Sequence, residues 1–295
     1  MSQYVLSVIA SGGVWAILTL SLNLITGYAG QVSLGQAAFF AIGAYAAAML
    51  STRTGFGFVP AVLAAMPITG VAAAALGLLA LRVKDDFLVF ATIGVNFIVV
   101  AILQYTDAFG GAQGIVAIPL PAIGPVTLQI GAYAGLVVAL ALLAGFASRW
   151  VERSWLGYGF AAVRQDELAA RTIGVPAAQL KVVAFALAGL LAGLAGALYA
   201  YFLGNVFPQN FAFVISIQVM AMLVLGGLGT VPGAIVGASV LTALPEILRP
   251  LADYRYTIFG LVLVITVSFL PGGIMGHGGL GDRALGRLRP RRAAT

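Results

Sequence analysis

The sequence predicts an all-α, polytopic membrane helix bundle of about nine transmembrane helices, with eight to ten as the range. Three observations predict it. Only 15 Lys and Arg and 9 Asp and Glu occur among 295 residues, 8% charged, where soluble domains carry about a quarter. Hydrophobic residues make up 61% and mean hydropathy is +1.06, more apolar surface than a globule of this length can hide. The apolar residues also gather into runs near the roughly 20 residues that a helix needs to cross a bilayer core of about 30 Å.

Nine such runs follow one another: Tyr4–Thr26, Gly35–Leu50, Gly57–Leu81, Phe87–Gln104, Leu128–Ala147, Leu180–Leu203, Phe211–Leu228, Val231–Leu248 and Tyr256–Leu270. Glycine and proline inside them are compatible with membrane helices. The alternating ten-residue segments of a strand barrel are missing. The first run lacks a basic n-region and leads straight into more membrane sequence, so no cleavable signal peptide is expected.

Composition excludes several functions. Net charge is small beside hydrophobicity, which excludes disorder. The net charge of +6 sits in short clusters flanking apolar runs, a pattern of membrane orientation rather than nucleic-acid binding. Zero cysteines exclude disulfides, thiolate metal sites and cysteine nucleophiles. The single histidine, His277, lies in a glycine-rich stretch and is read as solvated.

Lys and Arg set the orientation. With the carboxyl terminus in the cytoplasm, the inside segments hold Arg82, Lys84, Arg149, Arg153, Arg164, Arg171, Lys181 and five arginines from Arg283 to Arg292. The outside segments hold Arg53, Arg249 and Arg255. Twelve against three satisfies the positive-inside rule. Nine spans then put the amino terminus outside, and the loop Thr106–Val126, free of Lys and Arg, is extracytoplasmic.

Away from their ends the runs carry no Asp, Glu, Lys, Arg or His, which argues against proton relays and ion-coupled carriers. Intramembrane amides are Asn23, Asn96, Gln104 and Gln218, and each either satisfies a neighbouring helix or meets a solute. A phosphate-gripping Gly-x-x-x-x-Gly-Lys-Ser/Thr loop is missing, since the only lysines are Lys84 and Lys181. The chain does not hydrolyse ATP by itself.

Two stretches break the pattern. In Thr26-Gly27-Tyr28-Ala29-Gly30-Gln31-Val32-Ser33-Leu34-Gly35-Gln36, glycines and polar side chains separate two apolar runs. Leu225-Gly226-Gly227-Leu228-Gly229-Thr230-Val231-Pro232-Gly233 does the same in the other half. Paired interruptions of this kind point to a transport pathway, and irregular backbone at membrane depth must be satisfied by protein or by a water-lined cavity. The plainer alternative is two tight turns joining close-packed helices. The candidate pathway residues are Asn23, Gln31, Ser33, Gln36, Asn96 and Gln218, with Gly27, Gly30, Gly35, Gly226, Gly227, Gly229 and Gly233 as the helix-breaking glycines. Gly229-x-x-x-Gly233-x-x-x-Gly237 and Gly189-x-x-x-Gly193 also let backbones approach closely.

The connection Arg149–Lys181 is the longest inside. Asp166 is placed to cap a short helix beginning near Glu167, and Gly174 and Pro176 stop it. Two turns are marginal in water, so this protein's own face or a soluble partner must hold them. Alternatively the segment lies at the membrane interface on Trp155 and Tyr158.

Three passages carry a resemblance to a family. They are Leu22–Tyr45 around Gly27-Tyr28-Ala29-Gly30-Gln31-Val32-Ser33-Leu34-Gly35-Gln36, Ala162–Val175, and Ala221–Thr230, with Phe269-Leu270-Pro271-Gly272-Gly273-Ile274 closing the likeness. The chain resembles the permease subunits of bacterial ABC importers for branched-chain amino acids, of the LivM type. The resemblance implies an inner-membrane importer in which this subunit pairs with a LivH-type permease. Two ATP-binding subunits carrying ATP and magnesium would dock from the cytoplasm, and a periplasmic protein would deliver the solute. No cofactor, metal or catalytic residue is implied in this chain. The coupling helix would comprise Arg164, Asp166, Glu167, Ala169, Ala170, Arg171 and Gly174. Its acidic residue lies one position earlier than in the general importer loop, and Gln36 stands where many relatives carry His.

Relatives of this group also move urea, short amides, other amino acids or aromatic acids. A stand-alone carrier or channel is the competing class, and a membrane-embedded enzyme is disfavoured because no nucleophile–base set appears. Residues 1–276 are expected to form the permease domain, with the coupling loop at 149–181, and 277–295 a disordered basic tail near anionic headgroups.

Overall fold

The computed structural model describes residues 3–82, 85–124, 126–247, 260 and 272–276. Ten α-helices occur among them: α1 Gln3–Leu22, α2 Gln36–Thr54, α3 Phe58–Ala80, α4 Asp85–Tyr105, α5 Ile130–Arg153, α6 Trp155–Gln165, α7 Glu167–Thr172, α8 Ala177–Leu203, α9 Phe213–Gly226 and α10 Val231–Ile247. The predicted all-α polytopic bundle is correct. Six helical stretches are long and apolar enough to cross a membrane: Gln3–Tyr28, Phe58–Ala80, Phe87–Tyr105, Ile130–Arg153, Ala177–Leu203 and Pro208–Gly226. Helix α2 is diluted by Gln36 and Ser51-Thr52-Arg53-Thr54 at its ends, and α10 is shorter at 17 residues. Eight of the nine expected runs are thus helices. The ninth, Tyr256–Leu270, the tail 277–295 and His277 lie outside the described residues.

Helix α8 is the mast of the bundle and packs along α1, α2 and α3. Glycines allow this. A Cβ on Gly193 would strike Thr69 and the Ala65 carbonyl of α3, and one on Gly196 would strike the Phe40 carbonyl of α2. Gly189-x-x-x-Gly193 therefore works as the spacing predicts, bringing backbones together where lipid supplies no hydrophobic drive. Gly196→Val is expected to cost about 1–3 kcal/mol through overpacking, read as a lower midpoint of thermal aggregation in detergent. Gly135→Val, where the added group meets open space, is the control and should leave that midpoint in place.

Towards one end, Trp15, Phe40, Tyr199 and Phe211 form a ring cluster with centroids 5.0–6.3 Å apart. At that end the loop after α4 is tied down. Ile115 and Val206 exchange backbone hydrogen bonds at 2.9 Å, and Ala122–Ile123 pairs antiparallel with Val126–Thr127. The outside of the bundle is as apolar as its inside: Phe90 and Phe97 of α4 and Leu142, Leu143 and Phe146 of α5 are exposed, as a surface bathed in lipid requires.

Candidate coupling and gating site

Helix α1 does not stop at the first glycine stretch. It widens into a π-helical turn, Asn23–Tyr28, and Ala29 N–H reaches back five residues to the Leu24 carbonyl. Gly30 then turns left-handed at φ 72°, a conformation costly for other residues. Side chains from α4, from α9 and from the segment itself satisfy the irregular backbone up to the start of α2. Leu34 N–H donates to Thr92 Oγ1 of α4 at 3.1 Å, Gly35 N–H to Ser33 Oγ at 3.3 Å, and Ala37 N–H to Ser216 Oγ of α9 at 2.9 Å. Thr26 Oγ1 donates to the Gln31 carbonyl. This is how a broken segment survives inside a bundle: protein groups take the place of water for these donors. Gly35 is needed where the turn meets α4, because a Cβ there would press on the Thr92 carbonyl.

The second stretch is also a break. Helix α9 ends at Gly226, and its last carbonyls are capped by the returning segment 272–276: Ile274 N–H donates to Leu225 O at 2.9 Å and Met275 N–H to Gly226 O at 2.8 Å. Gly226 lies against the Gly233 carbonyl of α10. Thr230 Oγ1 accepts from Gly233 N–H, closing the first turn of α10 as an N-cap does.

The expected coupling segment is two helices. Beyond α5, Ser154 is extended (φ −87°, ψ 172°) and α6 begins, a helix that the reading of Asp166 and Gly174 did not include. Its signal was the spacing of three between Gly157, Phe160 and Val163, all buried. Arg149 and Arg153 belong to α5 and Lys181 to α8. Helix α7 starts where predicted. Asp166 Oδ1 accepts from Ala169 N–H at 3.0 Å, and Gly174 ends the segment at φ 86°. Glu167 pairs with Arg171 one turn on and with the buried Lys181 Nζ at 2.6 Å. Ala170 is buried and its carbonyl accepts from Val175 N–H. Leu168 and Ile173 remain 76% exposed.

One residue joins the three segments. Arg164, an exposed residue near the end of α6, reaches the first break with its guanidinium, and Nη1 donates to the Gly27 carbonyl at 2.6 Å. Its stem lies on Gly30, 2.8 Å from Cγ to where a Cβ would stand, and Nη1 lies 3.2 Å from the corresponding point on Gly229. Asn23 Oδ1 accepts from Gly229 N–H at 2.9 Å, which fixes the orientation of its amide. A methyl on Gly27 would collide with that oxygen.

The other candidate pathway residues are spread through the interior. Gln31, Ser33, Gln36 and Asn96 are buried like Asn23, and Gln218 is half-buried. Gln36 Nε2 donates to Ser21 Oγ at 2.5 Å, and Ser21 Oγ to the Ala188 carbonyl of α8 at 2.6 Å. Asn96 Nδ2 reaches the Phe211 carbonyl at 3.4 Å. Among the described residues, four of the cavities have volumes of about 310 to 480 Å³, and none of these four is lined by the six candidate residues. The sequence reading missed Ser21, Thr92 and Ser216; a lone hydroxyl inside an apolar run is their only signal.

With this geometry in view, comparison with known proteins is decisive. The family model for the branched-chain amino acid transport system permease component matches residues 4–267. The chain belongs to that family. The permease is 32% identical over 291 residues to the high-affinity branched-chain amino acid transport system permease protein LivM of Escherichia coli (strain K12), covering 89% of this chain and 68% of the relative. LivM of Salmonella typhimurium is 31% identical over the same extent. The autoinducer 2 import system permease protein LsrC of Yersinia enterocolitica is 32% identical over 143 residues, 45% of this chain and 38% of that protein. No solved structure matches. Membership makes the permease a multi-pass inner-membrane subunit of an importer, associating with ATPase and binding-protein components. Its relatives are transport subunits rather than enzymes.

Proposed function

We propose that the permease forms the translocation pathway for branched-chain or related amino acids in an ATP-driven importer, pairing with a LivH-type permease. Two ATP-binding subunits supply ATP and magnesium from the cytoplasm, and a periplasmic protein delivers solute. The carboxyl terminus faces the cytoplasm, on the side where twelve of the fifteen Lys and Arg fall. Lipid covers the apolar exterior.

The observation that carries this reading is α7. It is too short to stand alone in water, yet it is capped by Asp166, ion-paired to α8 through Glu167 and seated on Ala170. Its outer face offers Leu168 and Ile173, an exposed apolar pair of the kind that marks a partner surface. A soluble motor gripping that face moves α6 and α7 together, and the glycine-broken segments switch access. Asn23, Gln31, Ser33, Gln36, Asn96 and Gln218 supply the polar groups along the pathway as it opens.

Solute class is tested by reconstitution. Proteoliposomes holding the full assembly should accumulate leucine, isoleucine or valine when ATP is inside the ATPase compartment, and the permease alone should move none. Uptake by the permease alone would make it a carrier or channel. Accumulation of urea or a short amide, with the branched-chain amino acids left behind, would assign it to the other solutes of the group.

A further inference from the structure

We propose that Arg164 is the transmission residue of this permease, a positioning group that hands the movement of the cytoplasmic helices to both glycine-broken segments at once. The inference rests on the importer reading, in which α7 is the element the motor moves.

The load path is short. Helices α6 and α7 are separated by the single extended residue Asp166 (φ −160°, ψ 110°). Arg164 stands two residues before that joint, so displacement of α7 reaches it with little slack. Its Nη1 is bonded to the Gly27 carbonyl, 137 residues away in sequence. Gly27 lies in the π-helical turn that ends the first helix, where the Leu24 and Ile25 carbonyls accept from Ala29 and Gln31 N–H; a cation is the favoured cap at that end of a helix. The same Nη1 lies against Gly229 at the entry to α10, and Gly229 N–H is held by Asn23, four residues before Gly27.

Arg164, Gly27, Asn23 and Gly229 therefore close a circuit through three chain segments. Two of the four are glycines: Gly27 has no room for a side chain, and Gly229 is left-handed at φ 77°. A push on α6 strains the Gly27 and Gly229 backbones together, and these are the places where the regular helices stop.

Arginine suits the role for a stated reason. Its planar fork can face two targets while its stem packs on Gly30, whereas lysine offers one point charge. Glutamine is too short to reach Gly27 from the same backbone. The test is the number of ATP molecules hydrolysed per solute accumulated by the full assembly in proteoliposomes. Arg164→Gln should raise that ratio at least about tenfold, the scale expected when one charge-assisted hydrogen bond that biases two states is lost. Arg164→Lys should fall between it and wild type. A merely structural arginine would change the amount of assembled complex without moving the ratio, and a wild-type ratio in Arg164→Gln overturns the proposal.

Should Arg164→Gln fail to assemble, Arg164→Lys keeps the charge and the stem and reads the same ratio. A rise of about two- to fivefold, a part of one charge-assisted bond, supports the role, and the wild-type value overturns it. The wild-type assembly separates the two ideas. No ATP-dependent uptake there sinks the importer reading and this inference with it, whereas normal uptake beside an unchanged variant ratio sinks the transmission role alone.

Discussion

Gly27→Val in the assembled importer is expected to cut uptake about a hundredfold. Its Cβ would occupy the position of Asn23 Oδ1 and crowd Gly229 N. Asn23 must then swing away, and the Gly229 N–H loses its acceptor. An overpacked site costs about 1–3 kcal/mol and a buried unsatisfied donor about 1–3 kcal/mol. The two together, at about 3 kcal/mol, amount to roughly two powers of ten in the population of the competent state. The Gly27 carbonyl would also be pulled from Arg164. Uptake normalised to the amount of assembled complex checks this, with Gly94→Val as the control because its added group meets open space. Near-normal uptake by Gly27→Val would mean that the turn after α1 does not move during transport.

Arg171→Glu should lower uptake at least about tenfold while the two permeases still co-purify. Arg171 pairs with Glu167 across one helical turn. Reversal puts two carboxylates at that spacing, each such pair destabilising a helix by about 0.2–0.5 kcal/mol, and places negative charge at the wrong end of α7. Those local costs are small. The larger effect is expected at the proposed docking face, where a hot-spot residue costs about 2 kcal/mol or more. ATP consumed per solute should rise, and normal uptake would refute the lever role of α7.

The helices were legible because lipid imposes a composition no soluble core shares: eight of nine apolar runs are helical, with bounds within a few residues. Asp166 and Gly174 were legible because a cap is a local event, settled by a carboxylate three residues from an amide and by a left-handed glycine. Helix α6 was missed because only three buried positions in eleven mark its inner face. The first glycine stretch reads as a break, but the groups that satisfy it do not, since Leu34 and Ala37 N–H donate to Thr92 and Ser216 on helices distant in sequence. For the same reason, nothing near Arg164 in the chain says that its guanidinium ends on Gly27. Long-range pairings of this kind are set by packing, and a single sequence records only the residues that take part.

The central claim is that α7 lies on the cytoplasmic side and is gripped there by a soluble motor. Because the chain has no cysteine, Leu168→Cys provides one thiol on the exposed face of α7. A membrane-impermeant maleimide should label it in inverted vesicles and not from the outside of sealed cells, and bound ATPase subunits should protect it. Labelling from the periplasmic side, or labelling that the ATPase subunits leave unchanged, would contradict the account.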